Sequence, residues 1–146
     1  MMISTKGRYA LRVMIELATR GEGEYIPLRD IAARQEISEK YLEAILKILV
    51  RENMVVGLRG KGGGYQLSKK PSEYTVGSIL KRTEGSLAPV ACLGCGEDGC
   101  PRADQCATLP MWRELDALID GFLEGITLEQ LAEQALPAEE RKNAEK

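Results

Sequence analysis

The sequence predicts a mainly α-helical fold in which a helix-turn-helix pair is followed by a β-hairpin and, later, by a longer C-terminal helix. Three observations lead there. Apolar residues recur at helical spacing through most of the chain, the period drops to two around a run of glycines between Met54 and Leu67, and the longest apolar stripe comes after all four cysteines. At 146 residues, 44% of them hydrophobic, the chain is long enough for one core with a helical appendage and too short for two full domains.

The first helix is predicted over Lys6 to Thr19, where Leu11, Met14, Ile15 and Ala18 share a stripe, Ser4 or Thr5 can cap the start, and Arg20-Gly21 closes the end. Pro27 precedes a short second helix, LRDIAARQ, with Leu28, Ile31 and Ala32 on one face. Ile37 then turns inward, and Ser38 caps a third helix whose buried side carries Leu42, Ile45, Leu46 and Leu49. Two helices joined by so short a turn have helix-turn-helix spacing. MVVGLRGKGGGYQLS reads as a hairpin, with Val55, Val56, Tyr65 and Leu67 in its strands and Arg59 and Lys61 beside four glycines at its tip. Such glycines let a backbone come close to another molecule, a phosphate chain included. Thr75 can cap a fourth helix with Val76, Ile79 and Leu80 inward. The long helix, from about Leu109 to Phe122, puts Trp112, Leu115, Ile119 and Phe122 on one stripe. With Met111, Leu118 and Leu123 added, that face is wider than a small core can use and predicts pairing with a second copy of the chain. Thr127 and Gln130 form a capping box for a last short helix.

Charge divides the chain unevenly. Residues 1–70 hold 13 Lys and Arg against 8 Asp and Glu, net +5, and residues 71–146 hold 7 against 14, net −7. A basic half joined to an acidic half is expected where only the first half meets a polyanion. There is no run of eighteen apolar residues and no apolar leader, so the expected setting is the cytoplasm, with no membrane partner. Histidine is absent and no phosphate-binding loop precedes a helix, so no enzyme is expected.

All four cysteines lie in ACLGCGEDGCPRADQC, spaced C-x2-C-x4-C-x5-C as Cys92, Cys95, Cys100 and Cys106. In a reducing compartment such clusters serve as metal ligands or redox groups more readily than as a disulfide framework. Four thiolates this close can supply ligands to a [2Fe–2S] or [4Fe–4S] cluster or close around Zn²⁺. Zinc is the less favoured, because a structural ribbon shows two C-x2-C knuckles and only Cys92 and Cys95 make one. A reversible disulfide between those two is a further alternative.

Taken together, STKGRYAL at 4–11, SEKYLEAIL at 38–46, LRGKGGGYQL at 58–67 and the ending WREL…ITLEQLAE resemble the bacterial Rrf-two type winged-helix regulators, the family of IscR, NsrR and CymR. The resemblance covers about residues 1–135. It implies a winged helix-turn-helix over 1–83, a cysteine-rich cluster-binding loop over 84–108, a dimerisation helix with a short final helix over 109–136, and a tail over 137–146. It implies a homodimer on a double-stranded DNA operator, acting as a repressor under control of an iron–sulfur cluster, [2Fe–2S] favoured. The alternative is a thiol-redox or zinc-bearing regulator without a cluster, or a zinc interaction module that never meets DNA.

By position, Lys6, Ser38, Tyr41, Glu43, Arg59 and Gly60 match the family's DNA-contacting motif, and Lys61 shares the wing tip. Glu43 would accept only from cytosine N4, so it would penalise operators lacking that donor. Read from the residues alone, Ser38 is a helix cap, Tyr41 a half-buried ring, and Glu43 a partner for Lys40 or Lys47. The family's core ligands map to Cys92, Cys100 and Cys106. A histidine that some members carry after the last cysteine falls on Leu109 here, and Cys95, an extra thiol, is the expected replacement ligand; a carboxylate or an exchangeable small molecule is the other.

Overall fold

The computed structural model describes residues 3–20, 23–93 and 101–135. Among these, six helices and one two-stranded sheet form the winged helix-turn-helix that the sequence predicts: α1 Thr5–Thr19, α2 Leu28–Gln35, α3 Glu39–Arg51, β1 Val55–Leu58, β2 Gly64–Leu67, α4 Val76–Glu84, α5 Leu109–Glu124 and α6 Leu128–Ala135.

Helix α1 lies at the centre, touched by α2, α3, α4, α6 and β2. That position widens its buried arc. Leu11, Ile15 and Ala18 are only partly buried, and the deepest residues are Ala10, Val13, Met14 and Leu17. A stripe drawn for one neighbour is therefore rotated in a helix enclosed from several sides. Ser4 caps α1 by accepting from the Gly7 N–H at 3.2 Å, and its own N–H donates to the Glu84 carboxylate at 2.9 Å, fastening the start of α1 to the end of α4.

Helix α2 ends at Glu36 in the left-handed region, φ 54°, and Ile37 drops into the core before Ser38 opens α3. The Ser38 hydroxyl accepts from the Tyr41 N–H at 3.2 Å. Leu42, Ile45, Leu46 and Leu49 of α3 are wholly buried, each a side chain whose burial contributes on the order of 1.5–3 kcal/mol.

The wing is antiparallel, Val55 opposite Leu67 and Leu58 opposite Gly64. Ile26 extends it, exchanging backbone hydrogen bonds of 2.8 Å with Tyr65 in both directions. Only glycine fits at position 64: a Cβ there would lie 2.3 Å from the Ile26 carbonyl oxygen.

Tyr74, 3% exposed, fixes the base of the wing. Its hydroxyl donates to the Met54 carbonyl at 2.7 Å, accepts from the Lys69 N–H at 3.0 Å, and lies 3.0 Å from the Ser68 hydroxyl. The Tyr74 carbonyl accepts from the Leu128 N–H at 2.9 Å, and the Val76 N–H donates to the Ile126 carbonyl at 2.9 Å. These bonds bring α6 back onto the head, where Leu128 is wholly buried in the main core and α6 runs against α1. An eight-residue helix would not hold its shape without such packing. Its capping box is as the sequence predicts, with the Thr127 N–H donating to Gln130 and the Gln130 N–H to the Thr127 hydroxyl.

Tyr74→Phe leaves the Lys69 N–H without its acceptor and removes one of two bonds to the Met54 carbonyl, which keeps the Ser68 N–H, and urea unfolding should show a loss of about 1–3 kcal/mol. A loss under about 0.5 kcal/mol, the size of an ordinary surface change, would mean that the hydroxyl does not support the wing.

Candidate nucleic-acid interface and cysteine loop

Burying the Leu42, Ile45, Leu46 and Leu49 side of α3 turns the opposite side outward, so Ser38, Lys40, Tyr41, Glu43, Lys47 and Arg51 are all exposed. Lys40, Glu43 and Lys47 follow one another at i, i+3, i+7 on that face. Glu43 nevertheless makes no ion pair among the described residues. Its carboxylate is left available to a donor from outside. The Tyr41 ring meets the Tyr9 ring edge-on, centroids 5.8 Å apart and planes at 75°. At the wing tip Arg59, Gly60 and Lys61 are exposed, and a turn closed by the Gly63 N–H on the Gly60 carbonyl (3.0 Å) uses the positive φ of Gly62, 78°, at its third position. Lys6 sits half-buried in the first turn of α1.

Sequence reading passed over Tyr9 and Arg12. The Arg12 guanidinium carbon lies 5.0 Å from the Tyr9 ring centroid, and its Nε donates to the Gln35 side-chain oxygen at 3.1 Å. The sequence signal was slight: both residues sit on α1, where the helical stripe draws attention to the apolar positions.

Of the four cysteines, Cys92 lies in a 3-10 turn spanning Ala91–Leu93 and Cys106 ends another spanning Ala103–Gln105, just before α5. Both are half-buried and in no disulfide. Cys95 and Cys100 lie outside the described residues. The Cys106 thiol is drawn below the ordinary thiol range, first by the Thr108 hydroxyl 3.4 Å away and then by the Thr108 and Leu109 backbone. Among the described residues no three His, Cys, Asp or Glu side chains converge as a metal site.

Of the predicted dimer residues, Trp112 and Ile119 are half-buried, while Leu115 and Phe122 are exposed. Met111, Leu115, Leu118 and Phe122 form the outward stripe at i, i+4, i+7, i+11, with Leu118 65% and Phe122 68% exposed. Only Leu109 of the whole helix is buried.

What fastens α5 to the head is mainly polar. The Thr75 hydroxyl donates to Glu124 at 2.7 Å, and Lys81 donates to Glu124 at 2.9 Å and also to Asp120. The Thr75 hydroxyl first, then Lys81, holds the Glu124 carboxyl below its ordinary value of 4.5, while Asp120 first, then Glu124, raises Lys81 above 10.5. Beside this tie runs a cleft of 220 Å³, bordered by Lys81, Leu87, Leu93, Ile119 and Asp120, which brings the start of the cysteine loop against both α4 and α5.

The profile of the Rrf2 family, described as an iron-dependent transcriptional regulator, matches residues 3–134. The HTH-type transcriptional regulator IscR of Serratia proteamaculans is 40% identical over 131 residues, 90% of this chain and 79% of that one. IscR of Aliivibrio salmonicida is 38% identical over 131 residues, 90% of this chain and 77% of its own. Among solved structures, CymR, the global cysteine regulator of B. subtilis, superimposes with a TM-score of 0.75 at 35% identity, over 93% of this chain and 99% of that one. T. potens IscR gives 0.74 at 31% identity, over 93% and 89%.

Removing the Glu124 charge tests the tie. A lowered carboxyl pKa contributes stability that is present above pH 4.5 and lost as pH falls through the folded value, whereas a raised lysine pKa contributes stability lost as pH climbs past 10.5. Glu124→Gln should therefore cost up to about 1 kcal/mol at neutral pH, and the gap from wild type should close in urea titrations as pH falls below 4.5 through the folded value. A gap independent of pH would show that the carboxylate charge is not what holds α5.

Proposed function

The chain belongs to the Rrf2 family of transcriptional regulators, and on that premise we propose a homodimeric repressor whose grip on a palindromic operator is governed by an iron–sulfur cluster at the cysteine loop. The observation that carries the DNA half is the outward side of α3, where Ser38, Tyr41 and Glu43 crowd the first turns of a helix anchored by four buried leucines and isoleucines. Side chains at the start of a recognition helix reach base edges, and one such helix enters each half-site. Ser38 and Tyr41 contact backbone or base, Glu43 selects for a donor such as cytosine N4, and Arg59, Gly60 and Lys61 bring the wing to the flanking phosphates, with Lys6 beside them. Regulation of transcription by DNA binding, not catalysis, is the activity of the family.

The exposed stripe of α5 supports the dimer. Leaving Met111, Leu118 and Phe122 in water costs more than closing them, with Trp112, Leu115 and Ile119, against the same helix of a second chain. That interface would place two α3 helices at a fixed separation, as a two-fold operator requires.

The donor set suits a cluster: thiols on both sides of a short glycine-bearing loop, one of them already shifted toward the thiolate that ligates metal. Cys92, Cys100 and Cys106 are assigned as core ligands and Cys95 as the fourth. When bound, the group supplies an oxidisable centre whose potential depends on its ligands. Cys106 stands three residues before Leu109, so holding its thiolate fixes the start of α5, and Lys81, Glu124 and Thr75 carry that placement to α4. Loop order thereby biases the spacing of the two DNA-reading heads.

Selection from a random DNA pool tests the reading. Wild type should enrich a two-fold motif, and Glu43→Ala should enrich a broader one by about tenfold relaxation at the base it faces. Failure to enrich any motif overturns DNA reading by this face. Cysteine-to-serine variants at the four positions, purified without oxygen, should each lose absorbance between about 320 and 460 nm and iron. An unaltered spectrum in Cys95→Ser removes Cys95 from the ligand set, and a colourless protein with one zinc per chain supports the zinc alternative instead.

A further inference from the structure

We infer that Tyr9 and Arg12, on the helix that precedes the helix-turn-helix, are positioning residues for operator reading, holding the Tyr41 ring in its reading pose without touching DNA. This rests on the assignment of Tyr41 to the DNA-contacting surface.

The backbone of Tyr41 is fixed by the Ser38 cap, but its side chain projects from the outward side of α3 and is 36% exposed. No other residue of α3 is aromatic, so none meets that ring edge-on. Tyr9 does: its ring is half-buried against the core and meets Tyr41 edge-on at 5.8 Å and 75°, within the favoured range for aromatic pairs. Arg12, one helical turn further along α1, lies over the Tyr9 ring at 5.0 Å, the geometry of a cation–π contact.

The guanidinium is itself anchored. Its Nε donates to the Gln35 side-chain oxygen at 3.1 Å and its Nη2 donates to the Gln35 carbonyl, one of the last-turn carbonyls of α2 that lack a helical donor. The Gln35 amide donates onward to Glu16 at 3.1 Å, and Glu16 also faces Arg34 and Arg20. A continuous series therefore runs from Glu16 through Gln35, Arg12 and Tyr9 to Tyr41, binding α1 to the end of α2 and the start of α3. It fixes the Tyr41 rotamer before DNA arrives, which lowers the ordering cost of binding. With its fork engaged by Gln35 and its plane on Tyr9, Arg12 acts through geometry and not as a free phosphate ligand.

The experiment uses the operator duplex enriched by wild-type protein and measures dissociation constants across a salt series, with thermal unfolding as a check on folding. Tyr9→Leu should weaken binding about three- to tenfold, and Arg12→Met about two- to fivefold, both with the wild-type salt slope. Tyr9→Phe keeps the ring and should bind within about twofold of wild type. The double variant Tyr9→Leu/Tyr41→Ala should bind no more weakly than Tyr41→Ala alone, because the only route of Tyr9 to DNA is through Tyr41. Three results overturn the inference: Tyr9→Phe as weak as Tyr9→Leu, additive losses in the double variant, or a salt slope reduced by about one in Arg12→Met, the mark of a lost phosphate contact. Should Tyr9→Leu fail to fold, Arg12→Met and Tyr9→Phe decide alone. Wild-type affinity in Tyr41→Ala instead overturns the assignment of Tyr41, a separate outcome from failure of the positioning role.

Discussion

The hydrogen bonds of Tyr74 and Thr75 are the constraint on which the rest of the structure depends. Within two residues the chain joins the wing through the Tyr74 hydroxyl, α6 through the Tyr74 carbonyl, α5 through the Thr75 hydroxyl and α4 through the Thr75 cap. Each bond is modest in net strength, about 1 kcal/mol, but each is buried or half-buried, where an unmet partner costs more than a met one contributes. The wing is too small to hold its own orientation, since two four-residue strands have no independent stability. Its direction relative to α3 is set from below, by Tyr74, and from the side, by Ile26.

The two ends of the molecule are built on different principles. The head is closed by apolar packing in which Met14, Ile31, Leu42, Ile45, Leu46, Leu49, Ile79 and Leu128 are wholly buried, and such a core deforms little. Helix α5 buries only Leu109 and is fastened to the head by Thr75, Lys81, Asp120 and Glu124, with Leu123 adding a contact to the small cluster of Val76, Leu80 and Leu87. An apolar head thus meets α5 at a polar joint, and Leu93, at the start of the cysteine loop, lies beside that joint.

Most of the elements were legible in the sequence because each depends on local chemistry. The caps at Ser38, Thr75 and Thr127 and the hairpin glycines are short-range signals, and the structure places them as the spacing predicts. The outward set on α3 followed too, as the complement of a clear inward stripe. The buried face of α1 did not, because a helix enclosed by several neighbours has no single stripe. Nor did the division of α5, whose apolar residues are numerous enough that periodicity permits several seams. The structure separates the half-buried Trp112 and Ile119 from the exposed Met111, Leu115, Leu118 and Phe122.

The sequence by itself determined the class of fold, the basic first half and acidic second half, and the four thiols gathered in one segment, since charge, periodicity and ligand chemistry are carried by residue type and short spacing. Only the tertiary structure decided what orients those groups. Tyr74 reaches Met54 across 20 residues, Arg12 reaches Gln35 across 23 and Thr75 reaches Glu124 across 49. A polar residue has the same appearance in sequence whether it faces water or joins two helices, because the partner that distinguishes the cases is brought to it by the burial of other side chains.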